Sequence, residues 1–253
     1  MADKAEDNGG TTHFGYREVP EHEKARLVRD VFDRVAPSYD LMNDLMSAGV
    51  HRLWKATLVR DVRPRPGEIL LDVAGGTGDV AQRLLAAGGD VSVIVCDINP
   101  DMLEVGRDRA LDSGILKGLS YLAGDAEHLP LPDRSVDAYT IAFGLRNVTR
   151  IDAALAEARR VLKPGGRFFC LEFSRVVVPV LDRLYDLYSF TVLPALGEIV
   201  AGDRAAYQYL AESIRRFPPQ EDLATRMGKA GLERARFQNL SGGIAAIHSG
   251  WRI

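Results

Sequence analysis

Cysteine is almost absent from this chain. Of 253 residues only Cys96 and Cys170 are cysteines, each inside an apolar run (Val93-Ile94-Val95-Cys96 and Phe168-Phe169-Cys170-Leu171). A thiol in such surroundings behaves as a small hydrophobe, which excludes a disulfide framework and a cysteine-based zinc cluster. Long hydrophobic runs are missing too. The most apolar stretches are broken by Pro179, Asp182, Pro194 and Glu198, short of the roughly 18 uninterrupted residues that span a bilayer. Any membrane contact is therefore expected to be peripheral. Neither sign of charge is in large excess: 32 Lys and Arg against 35 Asp and Glu give a net −3, which argues against a nucleic-acid partner. Residues 1–10 have neither the apolar core of a secretory signal nor the acid-poor bias of a transit peptide, so a cytoplasmic location is expected.

What is present is ordinary globular composition, 46% hydrophobic and 26% charged, at a length that suits one α/β domain. Residues 1–20 read as a flexible tail and 21–253 as a single domain. The spacing Leu27, Val31, Phe32, Val35 predicts a helix stopped by Pro37, and with a second helical stretch around 50–59 it forms an N-terminal helical lid. After the turn cluster Pro64-Arg65-Pro66-Gly67, the run Ile69-Leu70-Leu71-Asp72-Val73 reads as a strand buried on both faces of a parallel sheet. Helices at 79–87, 100–111 and 152–162 alternate with strands at 91–96, 119–123, 136–143 and 167–173, the last entered by a turn at Lys163-Pro164-Gly165-Gly166. This βαβ rhythm predicts a mostly parallel sheet with helices on both faces. Residues 174–218, rich in Tyr185, Tyr188, Phe190, Tyr207, Tyr209 and Phe217, read as a helical insertion: either a plain core cover or the wall of an apolar channel. A last helix (221–230) and two C-terminal strands follow.

The strongest chemical signal is Asp72-Val73-Ala74-Gly75-Gly76-Thr77-Gly78-Asp79, a glycine turn from the first buried strand into a helix. Glycines there let a ligand approach the backbone, and the helix start offers unpaired N–H donors. Read as Gly76-x-Gly78-x-x-Ala81 it also fits a dinucleotide turn, which keeps a nicotinamide-dependent reductase open. Asp97, at the end of the second strand, suits a ribose diol. Asp97-Ile98-Asn99-Pro100 also resembles a helix start, with Asn99 as the cap and Pro100 first in the helix. Gly124-Asp125-Ala126 puts another acid at the same sheet edge, as an acceptor for an adenine amino group or as a solvated turn residue. Three contacts on three strand ends describe an adenosine site with no pyrophosphate half.

In this order the motifs resemble class I S-adenosylmethionine-dependent methyltransferases. More closely, Phe32-x-x-Val35-Ala36-x-x-Tyr39-Asp40-x-Met42-Asn43-Asp44, Phe143-Gly144-Leu145-Arg146-Asn147-Val148, Arg160-Val161-Leu162-Lys163-Pro164-Gly165-Gly166, Leu171-Glu172-Phe173-Ser174 and Tyr207-x-Tyr209-Leu210-Ala211-Glu212-Ser213 resemble the ubiquinone/menaquinone biosynthesis C-methyltransferase family, from about residue 25 to the C-terminus. The resemblance implies a Rossmann-like, mostly parallel seven-stranded sheet and S-adenosyl-L-methionine as cofactor. It also implies methyl transfer to a ring carbon of a polyprenylated benzoquinol or demethylmenaquinol. It assigns the cofactor to Gly75, Gly76, Thr77, Gly78, Asp97, Ile98, Asp125, Ala126 and Ala142, although many relatives have Ser where this chain has Ala142.

That reaction needs an electron-rich quinol ring, a proton acceptor and in-line placement of carbon, methyl and sulfur. The expected catalytic residues are Arg146 (stabilising a phenolate or orienting a water), Asn147 (holding the ring oxygen or the cofactor), Tyr39 (closing over the methyl) and Asp40 or Asp44 (acting on a proton). Arg146 and Asn147 also read as helix-flanking groups, and His51, His128 and His248 read as structural before they read as bases. A polyprenyl substrate places the chain at the inner face of a membrane, and 26 Arg against 6 Lys would suit anionic headgroups or reflect coding bias. A quinone-synthesis complex and a homodimer are further partner expectations. The competing activity readings are the reductase and a non-catalytic cofactor-binding subunit of such a complex.

Overall fold

The computed structural model describes residues 10–35, 44, 47, 49–177 and 203–253. Their core is a seven-stranded sheet of order β5-β4-β3-β6-β7-β9-β8. Its strands are β3 (Ile69–Val73), β4 (Ser92–Asp97), β5 (Leu119–Ala123), β6 (Val136–Ala142), β7 (Leu162–Phe173), β8 (Glu233–Leu240) and β9 (Ala245–Trp251). Only β9 runs against the others. The order reverses beside β3, so β3, β4 and β6 open a crevice at their carboxyl ends, where doubly wound folds bind ligands.

Pleating explains the unbroken apolar runs. Leu70 faces one layer with Trp54, Leu58, Leu84 and Val93, while Leu71 faces the other with Tyr139, Leu155, Phe168 and Met227. Every residue of such a strand meets a covered face, so alternation disappears from the sequence. Helices α2 (His51–Val62) and α3 (Asp79–Gly88) lie in the first layer; α5 (Ile151–Val161) and α7 (Gln220–Lys229) lie in the second. Cys96 and Cys170 are buried free thiols, one turned to the second layer from each of β4 and β7.

Helices α1 (Glu21–Val35), α4 (Pro100–Asp112) and α6 (Arg204–Arg216) complete the described elements, with a 3-10 turn at Leu145–Asn147. Two expectations are corrected. Residues 11–20, read as part of a flexible tail, form the hairpin β1 (Thr11–Phe14) and β2 (Arg17–Pro20). Its anchors are long-range: Phe14 stacks on Tyr209 of α6 at 4.1 Å, and the Tyr16 amide donates to Glu212 (3.0 Å). Local polarity carries no trace of either. The turn at 163–166 is a loop-out within β7: Leu162 pairs with Val136 and Arg167 with Ala138, so the residues between have no partners in the ladder. Of the aromatic insertion, α6 is a helical core cover, with Tyr207 and Leu210 fully buried; Tyr185, Tyr188 and Phe190 lie outside the described residues. No helix among the described residues is long and apolar enough to cross a membrane.

Candidate functional site

β3 ends in Asp72 and Val73, and the chain then turns through Ala74-Gly75-Gly76-Thr77-Gly78 into α3. Two glycines there are required by geometry. A Cβ on Gly75 would lie 2.7 Å from Val95, and Gly78 takes a left-handed φ of +79° as the residue capping α3. Ala74 (φ +50°) and Phe143 (φ +58°) adopt the left-handed region without being glycine, one after β3 and one after β6. Each costs of order 1 kcal/mol or more, and both line the same cleft. Two of the six non-glycine residues with positive φ among the described residues thus stand at the crevice.

That cleft encloses about 110 Å³ and is partly open to solvent. Its polar floor is Asp97, whose Oδ2 accepts from the Gly76 amide (2.8 Å) and whose Oδ1 accepts from the Asn99 amide (2.9 Å). Burial pushes this carboxyl up, against the stabilising pull of those N–H groups. Each oxygen retains a lone pair, so the group can still accept from a diol. Asn99 caps α4 by accepting from Asp101 (3.0 Å), with Pro100 first in the helix, which leaves Asp97 free of the capping role. Asp125 and Ala126 also line it, with Ile98 and Met102 as apolar lining and Val28 and Phe32 contributed by α1.

Beside the cleft lies a smaller cavity, also bounded by Ala74 and Phe143, between Lys55, Asp72, Gly75, Thr77, Asp79 and Ala142. Asp72 is 1% exposed; its Oδ1 accepts from the Thr140 hydroxyl (2.7 Å), and its Oδ2 has no hydrogen-bond partner. Burial pushes its carboxyl up to about 7. Lys55 pairs with Asp79 at 2.9 Å on the other wall.

The expected site residues therefore divide. Gly76, Asp97, Ile98, Asp125, Ala126 and Asn147 line the cleft; Gly75, Thr77 and Ala142 line the adjoining cavity; Gly78 acts through the helix start. Arg146 stands elsewhere. Its side chain is 2% exposed, with Nη1 donating to Glu172 Oε1 (2.6 Å) and to the Phe143 carbonyl (2.6 Å). Direct contact with substrate is not what this geometry offers: the guanidinium locks strained Phe143 and the 3-10 turn that presents Asn147. Asn147 Oδ1 in turn accepts from the Tyr209 hydroxyl (3.0 Å). Tyr39, Asp40 and Asn43 lie outside the described residues. His248 is buried against the Gln220 carbonyl and lowered to about 4 by burial, and His51 Nδ1 sits 2.9 Å from Ser47 Oγ. Sequence reasoning gave no place to Lys55, which carries no local signal, nor to the unpartnered oxygen of Asp72, the only charge in an otherwise apolar strand.

The family model for the "ubiE/COQ5 methyltransferase family" matches residues 18–252. The chain is 59% identical over 249 residues to a protein named ubiquinone/menaquinone biosynthesis C-methyltransferase UbiE from Acidiphilium cryptum, covering 98% of this chain and all of that one. It is 54% identical over 255 residues to the protein of that name from Brucella abortus, covering 99% and 95%. Among solved structures, a SAM-dependent methyltransferase from Thermotoga maritima superimposes with a TM-score of 0.59 at 24% identity, over 88% of this chain and 99% of that one. A putative methyltransferase complexed with Trm112 from Haloferax volcanii gives 0.61 at 18%, over 82% and 93%. These structures establish the Rossmann-like class I methyltransferase fold, and the sequence matches establish more: the chain belongs to the ubiE/COQ5 methyltransferase family.

Proposed function

We propose that the chain transfers a methyl group from S-adenosyl-L-methionine to a ring carbon of a polyprenylated benzoquinol or demethylmenaquinol, in ubiquinone or menaquinone biosynthesis. The observation that carries the reading is the paired cavity at the ends of β3, β4 and β6. A cleft with a diol-accepting Asp97 and an amine-accepting Asp125 adjoins a pocket holding a buried carboxyl with one unpartnered oxygen. Those donor sets match a nucleoside at one end and a zwitterionic amino acid at the other. Asp97 would hold the ribose, Asp125 and Ala126 the adenine edge, Ile98 and Met102 its faces, and Asp72 with Lys55 the ammonium and carboxylate. When bound, the cofactor supplies an electrophilic methyl on a sulfonium. A reductase has no use for the Asp72 pocket, and the family match sets that alternative aside.

The chain's own contribution is placement. Val28 and Phe32 of α1 give the cleft apolar lining against water, and Asn147 faces the cleft with its carbonyl oxygen held by Tyr209, leaving its amide N–H groups to aim at a quinol oxygen. Arg146 is a positioning residue in this scheme, acting through Phe143 and the turn at Leu145–Asn147. Tyr39 keeps the role of closing over the methyl, and Asp40 or Asp44 that of accepting the quinol proton. A substrate with an isoprenoid tail resides in the bilayer, so the chain works as a peripheral protein at the cytoplasmic face of the membrane. A quinone-synthesis complex or a homodimer is compatible with that placement.

The deciding experiment incubates the purified chain with labelled S-adenosyl-L-methionine and short-tailed, chemically reduced quinol acceptors. Label in the ring carbon of the reduced acceptor, and none with the oxidised quinone, is the expected result; failure with both ring types overturns the reading. Arg146→Ala should lower kcat and leave cofactor affinity nearly unchanged, and Arg146→Lys should recover part of the loss. Full turnover in Arg146→Ala would remove this residue from the reaction.

A further inference from the structure

Across residues 148–149 from the cofactor cleft lies a second cavity, of about 300 Å³ and open to solvent, with Val148 and Thr149 as the shared wall. Its character is different: Lys24, Arg150, Arg216 and Arg226 line it, and Asp152 is the carboxylate among its lining residues. Glu127, behind the wall, is engaged by Arg150 at 2.7 Å, and Asp152 lies 3.6 Å from Arg226 with both side chains well exposed. The Lys24 ammonium donates to the Val148 carbonyl (2.8 Å), and burial lowers it to about 8 despite Glu127. Positive charge therefore exceeds negative charge around an open cavity. At its rim, the β1–β2 hairpin turn carries Tyr16, 51% exposed, with the Arg216 guanidinium 5.7 Å above its ring. An exposed tyrosine beside arginines is the side-chain pairing that settles at a headgroup layer, the ring in the interface and the cations on phosphate.

We propose that this cavity receives the phosphate of an anionic phospholipid headgroup, seating the hairpin turn and the end of α6 on the bilayer so that the neighbouring cofactor cleft faces the membrane. The proposal rests on the reading of the substrate as a polyprenylated quinol, which must be taken from that bilayer. Position favours this cavity over another basic cleft, lined by Arg63, Arg65, Arg167 and Arg236. That one lies at the amino ends of β3 and β7, and docking through it would turn the cofactor away from the lipid. The phosphate has one source here, the membrane; a soluble phosphate monoester is the rival outcome.

The test is co-sedimentation of the full chain with phosphatidylcholine vesicles, with and without phosphatidylglycerol, at low and high salt. Binding should require phosphatidylglycerol and weaken with salt. Arg216→Gln and Arg226→Gln should each weaken it about fivefold, Tyr16→Ser should weaken it further, and Arg63→Gln/Arg65→Gln should leave it unchanged. All these variants should bind S-adenosyl-L-methionine and methylate a water-soluble, short-tailed quinol like the parent chain. The proposal is overturned if the Arg216/Arg226 double variant sediments like the parent, if the Arg63/Arg65 variant is the one that loses binding, or if glycerol phosphate competes at the concentration of vesicle lipid phosphate. The soluble-quinol assay reads the reaction without vesicles, so failure of the substrate reading appears there and failure of the docking site appears only in sedimentation.

Discussion

Asp72 and Glu172 occupy the same place on two strands. Each is the second-last residue, of β3 and of β7, at the carboxyl edge of the sheet, and each is buried, at 1% and 0% exposure. Burial pushes both carboxyls up. Their partners differ. Glu172 is closed from within: Oε1 accepts from Arg146 Nη1 (2.6 Å) and the Phe173 amide (2.9 Å), and Oε2 accepts from the Arg146 amide (3.3 Å). Asp72 has the Thr140 hydroxyl on one oxygen and nothing on the other, which adjoins a cavity with Lys55 on its wall. One strand-end acid is closed by the fold; its counterpart keeps an unpartnered oxygen beside the cavity that the proposed function gives to the cofactor.

The largest effect should come from opening the closed pair. Glu172→Ala leaves a buried guanidinium without its counter-charge, and such losses cost about 3–5 kcal/mol. Denaturant unfolding of Glu172→Ala should show that loss, with Arg146→Ala close behind because it strands the carboxylate instead. A loss below 1 kcal/mol for both would mean that water enters and solvates the surviving charge, and the contrast with Asp72 would collapse.

Asp72→Asn should do the opposite. The amide keeps an acceptor for Thr140 and removes a buried charge, so stability near neutral pH should hold or rise. Cofactor affinity should fall about tenfold to a hundredfold, the worth of a hydrogen bond to a charged group. Calorimetric titration with S-adenosyl-L-methionine measures it, and unchanged affinity would show that the unpartnered oxygen is a packing defect and not a ligand site.

The same carboxyl fixes a pH dependence. With its value raised to about 7 in the folded chain and near 3.9 when unfolded, the folded state holds this proton between those values after the unfolded chain has lost it. Stability from this group is therefore complete below pH 4, declines as pH rises to 7, and is level above that, by about 4 kcal/mol in all. Other groups cancel in the difference between the parent chain and Asp72→Asn, so the variant should gain relative stability from pH 4 to 7 and stop gaining above it. A flat difference would place Asp72 in an ordinary, solvated state.

How much of this contrast was legible in the sequence follows from where each interaction comes from. The strand-turn-helix around Gly75 and Gly78, Asp97 below it and the Asn99-Pro100 helix start are local, with donors and acceptors a few residues apart, and the pattern announces them. The apolar runs of β3 and β6 announced the two-sided burial of the sheet. The Arg146–Glu172 pair joins residues 26 apart, and the Phe14–Tyr209 stack joins residues 195 apart, so their spacing says nothing of either. Arg146 in a loop at the cofactor edge read as catalytic because a lone arginine there has no visible partner until the sheet brings β7 beside β6. The hairpin at 11–20 was missed for the same reason: what holds it lies on α6.

The smallest expected effect tests where the closed pair hands over to the reaction. Arg146 holds the turn, the turn presents Asn147, and the Tyr209 hydroxyl fixes the Asn147 carbonyl oxygen at 3.0 Å. Tyr209→Phe removes only that last link. The ring keeps its stack on Phe14, and no charge is uncovered. Stability should fall by about 1 kcal/mol, the net worth of one hydrogen bond, or roughly 2–4 °C in Tm for a chain of this length. Cofactor affinity should not change, because Asp97, Asp125 and Asp72 are untouched. If Asn147 orients the quinol, freeing its amide to rotate should lower kcat severalfold more than the stability loss accounts for, with Asn147→Asp abolishing the donor outright and lowering it further. Equal turnover in all three proteins would confine Asn147 to lining the cleft, and the role of the Arg146–Glu172 pair would end at holding Phe143 in its strained conformation.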